Sequence, residues 1–236
     1  MNRLQRRHGA AVYRPWPEPD PLELYRWAVQ DPQTQARVLQ LMFEHLHPGH
    51  TPRCLREDFA GTSAEAVAWL ALGEDRQALA IDRDAATLDW ARRRARRILG
   101  KRAAALRFVC ADVMEVGPPQ VPSADLISVL NFSILYLRER DELLRYLRQA
   151  HAGLSATGLL VVNLFGGTQA LQSGLTRHRV HANPAAEGAA PLPLFEYCWE
   201  QRLLDADTRR LACSIHFRLP DPRQPGGVRL LSNAFR

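Results

Sequence analysis

Five short apolar runs, separated by stretches with helical periodicity, constrain the fold of this chain more than any other feature. The runs predict strands at residues 53–58, 77–82, 106–110, 125–130 and 159–164, and the stretches between them predict helices at residues 63–72, 85–99 and 139–153. These strands are apolar throughout, which is typical of a parallel sheet covered by helices on both faces. We therefore predict an α/β fold with a doubly wound, mostly parallel sheet.

Two further helices are predicted before the first strand. Asp20-Pro21 and Asp31-Pro32 each place an aspartate at the N-cap and a proline at the first helical position. The second of these helices ends near Pro48-Gly49 and carries four apolar residues on one side: Val38, Leu41, Met42 and Leu46. We predict a disordered or loosely packed tail over residues 1–19 and a main domain over residues 20–167, with the two helices as its cap.

The pattern changes after Gly166-Gly167. Residues 168–193 are polar and rich in alanine, glycine and proline, so we predict a mobile loop there. Residues 195–201, 211–217 and 228–235 then alternate in character and are joined by short turns, which favours antiparallel strands. We predict a C-terminal antiparallel ribbon over residues 194–236.

Composition and charge exclude some classes of protein. The 236 residues include no apolar stretch long enough to span a bilayer, and the basic N-terminus lacks the apolar segment of a secretory signal, so we expect a cytoplasmic protein without a membrane partner. The net charge of +6 comes almost wholly from arginine. The densest arginine run, residues 92–97, could bind nucleic acid, but an apolar stripe of Leu88, Ala91, Ala95 and Ile98 favours the solvated face of a helix.

Cysteine and histidine spacing gives no indication of a metal centre. Cys54, Cys110, Cys198 and Cys213 are scattered without CxxC spacing, which favours small buried side chains over a disulfide framework or a zinc site. Three histidines at residues 45, 47 and 50 cluster near a proline with no cysteine or carboxylate among them. We therefore predict no metal.

The turn after the first strand is the strongest candidate for a functional site. Residues 55–63 contain an acidic pair and one glycine, and they lead into a helix that Thr62 can cap, with Glu65 completing a capping box. Ligands of doubly wound sheets bind beyond the carboxyl ends of the strands. Glu57, Asp82 and Asp112 follow the first three strands and are expected to face that crevice. An ordinary strand-to-helix turn is the alternative interpretation of these nine residues.

Two features separate the candidate cofactors. A dinucleotide pyrophosphate needs a glycine-rich turn for close backbone approach, whereas this turn has one glycine and two carboxylates. S-adenosylmethionine carries a sulfonium and an ammonium group, for which carboxylates are favourable. An acidic residue at the end of the second strand can accept both ribose hydroxyls, and Asp112 can accept from the adenine amino group. The pattern favours S-adenosylmethionine over a nicotinamide dinucleotide.

The succession of motifs resembles class I S-adenosylmethionine-dependent methyltransferases, which have a Rossmann-like fold. More narrowly, residues 55–63, 80–84, 110–113 and 131–133 resemble a bacterial group of uncharacterised methyltransferases with a Leu-Arg-Glu-Asp-Phe-Cys-Gly-Thr-Gly first motif. Residues 28–32, 164–167 and 216–218 are similar to that group as well. The resemblance begins near residue 22 and runs to the end of the sequence.

The resemblance implies roles for individual residues. Glu57 would lie near the cofactor's amino group, Gly61 under its methionine part and Asp82 at its ribose. Asn131 would face the methionine part and the methyl acceptor, and Tyr25 would cover the pocket. The complete set of predicted cofactor-binding residues is Tyr25, Glu57, Phe59, Ala60, Gly61, Thr62, Asp82, Arg83, Asp112, Val113 and Asn131, with Arg83 beside the adenine and Asp112 and Val113 holding it. No catalytic residue is assigned.

The sequence also departs from the group. Ala60 and Ser63 stand where its first motif has cysteine and glycine, and Ser63 is expected to narrow the turn if that position needs a positive φ. The group continues beyond the ribbon with a helix and further strands, so we expect the ribbon here to be incomplete and its edge to be open to a homodimer. The hypotheses are a methyltransferase with an unidentified acceptor, a catalytically impaired domain that binds S-adenosylmethionine or a partner, and an RNA-binding protein.

Overall fold

The structure is a computed structural model that describes residues 19–183, 187–188, 192–208, 210–221 and 223–235. Its centre is a five-stranded sheet in the order β3-β2-β1-β4-β5, and all neighbouring strands in it are parallel. The strands are β1 (Cys54–Asp58), β2 (Gln77–Asp82), β3 (Leu106–Cys110), β4 (Ala124–Val129) and β5 (Leu154–Val162). The prediction of a parallel α/β sheet is confirmed. The predicted tail falls on residues 1–18, which lie outside the described residues, and on Pro19.

Five α-helices are described: α1 (Pro21–Val29), α2 (Pro32–Leu46), α3 (Ala64–Ala71), α4 (Ala85–Leu99) and α5 (Arg140–Ala152). Their starts follow the local sequence. Asp20 and Asp31 accept hydrogen bonds from the backbone N–H groups of Leu22 and Thr34, at 2.9 and 3.3 Å, and a proline follows each aspartate. Both predicted N-caps are confirmed.

The helices cover both faces of the parallel sheet. On one face, α2, α3 and α4 pack on Leu55, Ala80 and Leu126, and this core includes the fully buried Trp69. On the other face, α5 contributes Tyr146 and Ala150 to a core with strand residues such as Leu79, Ile81, Ile127 and Val129. Neighbouring residues of a strand point to opposite faces, so each apolar strand supplies both cores.

A charged network lies inside the second core. The Arg56 guanidinium donates to both carboxylate oxygens of Asp58, from Nε at 2.7 Å and from Nη2 at 3.1 Å, and its Nη1 donates to the Val116 carbonyl. The Tyr146 hydroxyl donates to Asp58 at 2.8 Å. Arg56, Asp58 and Tyr146 are all at most 1% exposed. Asp58 is therefore neutralised within the core.

The second sheet is antiparallel, in the order β6-β7-β8-β9. Its strands are β6 (Gly174–Val180), β7 (Phe195–Gln201), β8 (Cys213–Pro220) and β9 (Val228–Phe235). Helix α1 packs on one face of this sheet, where Leu24 meets Phe195 and Phe217 in a third core. The predicted antiparallel strands are confirmed.

Strand β6 lies inside the segment predicted to be a mobile loop, so that prediction was wrong for residues 174–180. Six of the seven residues of β6 are exposed. A strand at the edge of a small sheet needs no apolar alternation, because backbone hydrogen bonds to β7 hold it. The sequence therefore carried no strand signal there.

Two details of the helices differ from the sequence interpretation. Thr62 and Glu65 form no capping box at α3, because the residue before the helix is Ser63 in a left-handed conformation without a side-chain cap. On α2 the buried side consists of Ala36, Leu39 and Phe43. The side with Val38, Leu41, Met42 and Leu46 is 42–62% exposed.

Helix α4 carries the arginine run as predicted, with one exception. Leu88, Ala91 and Ala95 are buried, and most of the run faces solvent. Arg94 is only 4% exposed. Within the described part of the chain, no helix has the length and apolar character needed to cross a membrane. No metal-binding group of three or more histidine, cysteine or acidic side chains was found among the same residues.

Candidate cofactor and acceptor site

The loops after β1 and β4 meet at the carboxyl edge of the parallel sheet, and their backbone is unusual. Phe59, Ser63, Asn131 and Phe132 have φ values of 54, 51, 54 and 63°, which side chains with a Cβ rarely adopt. They are the non-glycine residues with positive φ among those the structure describes. Such strain persists only where the surroundings impose it, and it concentrates at functional sites.

The turn after β1 is fixed by hydrogen bonds from three directions. The Ala60 N–H donates to the Ile81 carbonyl at 2.9 Å, and the Gly61 N–H donates to Asp82 Oδ2 at 2.7 Å. The Thr62 hydroxyl donates to Gln30 Oε1, between α1 and α2, at 2.6 Å. The turn is therefore held by the end of β2 and by the joint between the first two helices. Thr62 takes this positioning role instead of the predicted cap.

Glycine and serine both occupy left-handed positions in this turn. Gly61 has a φ of 47°, and a Cβ at this position would meet no atom within 4 Å, so backbone conformation is what requires glycine here. Ser63 adopts a φ of 51° despite its Cβ. The condition on the predicted narrowing of the turn, a positive φ at this position, is therefore met, and the narrowing itself stays a prediction.

Glu57 caps helix α3 from below. Its carboxylate accepts a hydrogen bond from the Ala66 N–H at 2.9 Å, and only 5% of its surface is exposed. Burial raises the pKa of Glu57 well above its usual value, and the Glu65 carboxylate raises it further. Burial likewise raises the pKa of Glu65 to about 7. Glu57 and Glu65 form a buried acid pair beneath the turn, and we call it the acid pair below.

The acid pair should make stability depend on pH. A carboxyl group whose pKa is raised in the folded state stabilises the fold in its protonated form, and this contribution is lost as the pH rises from about 4.5 through about 7. The variant Glu65→Gln cannot ionise at this position, so it does not lose this stability as the pH rises. The free energy of unfolding of the variant minus that of the wild type should therefore grow between pH 5 and pH 8. Urea unfolding at four pH values measures this difference. The exposed Glu74→Gln is the control, and a difference that is flat with pH would contradict the prediction.

Asp82 lies at the end of β2 with half of its hydrogen-bonding capacity in use. Its Oδ2 accepts from the Gly61 N–H, and its Oδ1 accepts from the Asp84 N–H at 2.9 Å. A carboxylate has about four acceptor positions, so two remain for a ligand. The side chain is half-buried. Asp82 can therefore hold the turn and accept two hydroxyl groups at the same time.

The predicted adenine-side residues follow β2 and β3. Arg83 is exposed, and its carbonyl lies 3.7 Å from the Cys110 thiol. Asp112 is exposed and accepts from the Met114 N–H at 2.9 Å, while Val113 is buried. This arrangement fixes the loop after β3 beside the loop after β2.

Asn131 opens the loop after β4. It is half-buried, and the next residue, Phe132, donates its N–H to Asn163 Oδ1 at 2.9 Å. Asn163 follows β5 and pairs its own N–H with the Val129 carbonyl. The Asn163 amide thus fixes the left-handed conformation of this loop.

An aromatic wall joins the two sheets next to Asn131. The rings of Phe132 and Phe165 are 5.6 Å apart, and those of Phe165 and Trp199 are 6.0 Å apart. Tyr25, Tyr197 and Trp199 pack against the third core, and the phenols of Tyr136 and Tyr197 add to the effect of burial in raising the pKa of Tyr25. The ring contacts of Phe165 connect the segment after β4 with β7. We define the aromatic wall as Tyr25, Phe132, Tyr136, Phe165, Tyr197 and Trp199.

Known structures share this arrangement of sheets. The sugar N-methyltransferase KedS8 from Streptoalloteichus superposes with a TM-score of 0.64 at 19% identity, over 95% of this chain and 80% of that one. CalS10, an S-adenosylmethionine-bound amino pentose methyltransferase from Micromonospora echinaspora, gives 0.66 at 14% identity over 95% and 82%. DesVI from Streptomyces venezuelae gives 0.66 at 15% identity over 89% and 78%. The fold is that of the Rossmann-like methyltransferases. No family model and no curated protein sequence matches the chain.

Within this methyltransferase fold, the predicted residues gather at one edge of the sheet. The segment Phe59–Thr62 and Asp82 are hydrogen-bonded to each other, and Glu57 lies beneath them. Tyr25 belongs to the aromatic wall, which starts beside Asn131. The cofactor contacts assigned to these residues stay predictions.

Sequence reasoning missed Gln30, Asn163 and most of the aromatic wall. Gln30 lies in the segment that resembled the methyltransferase group, and Asn163 is the first polar residue after an apolar run, so both carried a signal. Phe165 lies in residues 164–167, which resembled that group as well, whereas Tyr197 and Trp199 reach the site only through the packing of the second sheet, which the sequence did not reveal.

Proposed function

We propose that this protein is an S-adenosylmethionine-dependent methyltransferase of the cytoplasm. The observation that carries the proposal is the turn Phe59–Ser63, which is strained at Phe59 and Ser63 and is joined to the Asp82 carboxylate by the 2.7 Å hydrogen bond from Gly61. The likeness of the fold to methyltransferases supports it.

The residues present fit the proposed cofactor. Asp82 retains acceptor positions for two ribose hydroxyls, and the buried acid pair lies under the turn where positive charge would be placed. The raised pKa of both carboxyl groups favours their protonated form in the free protein, and a sulfonium and an ammonium group placed above them would lower those pKa values and favour the ionised form. The turn has a single glycine and therefore offers a pyrophosphate little of the close backbone approach that dinucleotides need.

We place the methyl acceptor against the aromatic wall. When bound, S-adenosylmethionine would supply an electrophilic methyl group for a lone pair of the acceptor, with the electrons of the broken C–S bond staying on its sulfur. Tyr197 has its pKa raised to about 12 by burial, and burial raises the pKa of Tyr25 as well. Both phenols are protonated at neutral pH, so they can orient an acceptor but cannot accept its proton.

The aromatic wall and the similar enzymes support one class of acceptor. Aromatic faces attract cations, and an amine becomes cationic when it is methylated. KedS8 is a sugar N-methyltransferase and CalS10 an amino pentose methyltransferase. An amine is thus the acceptor that these observations favour, and orienting it towards the methyl group would supply much of the rate.

Calorimetry on the wild-type protein tests the cofactor. We expect S-adenosylhomocysteine to bind, because it shares the ribose and the methionine part with the proposed cofactor. NAD is the matched control, since it presents an adenine and a ribose but adds a pyrophosphate. Binding of NAD alone, or of neither compound, would refute the proposed function.

A further inference from the structure

A cluster of arginines lies between α1, α4 and the connection from β6 to β7. Arg26 of α1 and Arg94 of α4 are 3% and 4% exposed. Both guanidinium groups contact the carboxylate of Glu187: Arg26 Nη2 bonds Oε1, and Arg94 Nη2 donates to Oε2 at 2.8 Å. Arg97 Nε donates to the Glu187 carbonyl at 3.1 Å. One carboxylate therefore bridges two buried arginines.

The hydrogen bonds of this cluster are incomplete. Arg26 Nε and the Nε and Nη1 groups of Arg94 are buried without an acceptor among the residues that the structure describes. A buried N–H group without an acceptor is costly, and more so when it is charged. These N–H groups of Arg26 and Arg94 could donate to further anionic oxygens in addition to the two that Glu187 provides.

Positive charge exceeds negative charge at this place. The pKa is lowered to about 10 at Arg26 and to about 9 at Arg94, mainly by burial, and the charge of Arg97 contributes at both. The Glu23 carboxylate opposes this effect at both arginines, and Glu57 opposes it at Arg94. Glu23 is bonded to the Trp27 indole, and Glu57 to the start of α3. In the described part of the chain, neither of those two carboxylates forms a hydrogen bond with Arg26 or Arg94.

The cluster lies beside the proposed cofactor and acceptor site. Arg26 follows Tyr25 of the aromatic wall in α1, and its carbonyl accepts the N–H of Gln30, whose side chain accepts the Thr62 hydroxyl of the turn. Glu187 comes from a connection between strands, whereas both arginines come from helices. A segment that connects two strands moves more readily than a packed helix, so Glu187 can leave the arginines at a lower cost than the arginines can leave Glu187.

We propose that Arg26 and Arg94 form a binding site for the anionic group of a ligand, a carboxylate or a phosphate, which Glu187 occupies when the ligand is absent. Planar guanidinium groups bind both kinds of oxyanion in a bidentate manner. The inference rests on the proposed function only in assigning the ligand to methyl transfer. The anion belongs either to the methionine part of the cofactor or to the methyl acceptor.

Inorganic phosphate and Glu187→Gln test the site itself. Removing the competing carboxylate should tighten phosphate binding by about tenfold. The neutral amide of the variant bonds the charged guanidinium groups less strongly than a carboxylate does, so it competes less well with phosphate. The double variant Glu187→Gln/Arg94→Gln should lose this gain. Glu196→Gln is the matched control, since it changes the net charge equally at the Arg218 ion pair of the antiparallel sheet. Calorimetry or the shift of the melting temperature with phosphate measures the effect.

Two further ligands identify the source of the anion. If it is the cofactor carboxylate, Glu187→Gln should bind S-adenosylhomocysteine more tightly, phosphate should compete with it, and methylthioadenosine, which lacks the carboxylate, should bind equally to both proteins. If it is the acceptor, S-adenosylhomocysteine affinity should stay unchanged while phosphate binding tightens. Equal phosphate affinity in the wild type, Glu187→Gln and Glu196→Gln would overturn the proposal, even where S-adenosylhomocysteine binds and the proposed function stands.

Discussion

Replacing Arg56 with methionine is expected to lower the free energy of unfolding by about 3–5 kcal/mol, because it leaves a buried charge without its partner. Asp58 is at most 1% exposed and would keep only the Tyr146 hydroxyl among its recorded side-chain partners. Burial already raises the pKa of Asp58, and the Arg56 charge opposes that rise. Urea unfolding measures the change.

The loss in free energy of unfolding caused by Arg56→Met should depend on pH. Without the guanidinium, the pKa of Asp58 rises further, so its protonated form is the one that the folded state tolerates. A raised pKa means that stability is retained at low pH and lost as the pH rises. The difference from the wild type should therefore be smaller at pH 5 than at pH 8. A deficit that does not change with pH would contradict this account.

Two matched variants separate charge from packing. The triple variant Arg56→Met/Asp58→Leu/Tyr146→Phe removes the three polar side chains of the network and should recover part of the loss, since only the Val116 carbonyl is then left without its donor. Arg53→Met breaks the Asp75 pair, in which both side chains are at least 60% exposed, and should change stability by no more than about 0.5 kcal/mol. A loss in Arg53→Met as large as that in Arg56→Met would point to a general effect of arginine removal.

Asp82→Ala is expected to weaken binding of S-adenosylhomocysteine by about 100-fold. The variant removes the acceptor of the Gly61 and Asp84 N–H groups together with the acceptor proposed for the ribose. Hydrogen bonds to a charged group contribute about 1.5–3 kcal/mol each, and two of them at the lower end of that range correspond to about this factor. Calorimetric titration of both proteins measures it.

The control for Asp82→Ala lies on the same side of the fold. Asp89→Ala removes an exposed carboxylate of α4 that pairs with Arg92, and it should bind like the wild type. Melting of each variant without ligand checks that the turn has not unfolded. Wild-type affinity in Asp82→Ala would remove Asp82 from the binding site, although it would leave the fold assignment intact.

Local signals predicted the parallel sheet closely. The limits of β2, α4 and β3 coincide with those expected from apolar runs, from the Asp84 cap and from Gly100. In these elements the residues that decide the structure are neighbours in sequence. Hydrogen bonds within a few residues and the period of the apolar positions were sufficient there.

The candidate site was predictable only in part, because its side chains have competing partners. Glu57 and Asp58 appeared as two carboxylates at one turn, but neighbouring residues of a strand point to opposite faces. Glu57 therefore caps α3, and Asp58 joins Arg56 in the other core. The alternation alone could have separated these two roles. It could not have identified Ala66 and Tyr146 as their partners.

Contacts between distant segments were beyond the sequence. Arg94 belongs to a run that the helical pattern places in solvent, and its burial depends on Glu187, 93 positions away. The contact between Phe165 and Trp199 likewise depends on how the second sheet packs. No local periodicity encodes such pairs.

The joint between α1 and α2 has a thermodynamic consequence. Helix α1 is packed into the core of the antiparallel sheet, α2 into the core of the parallel sheet, and Gln30 between them accepts the hydroxyl of Thr62. A ligand that stabilises the hydrogen bond between Thr62 and Gln30 therefore also stabilises the packing of the two sheets that this joint connects. Linkage is reciprocal, so a change in the packing of α1 on its sheet should alter cofactor affinity by the same factor by which the cofactor alters that packing.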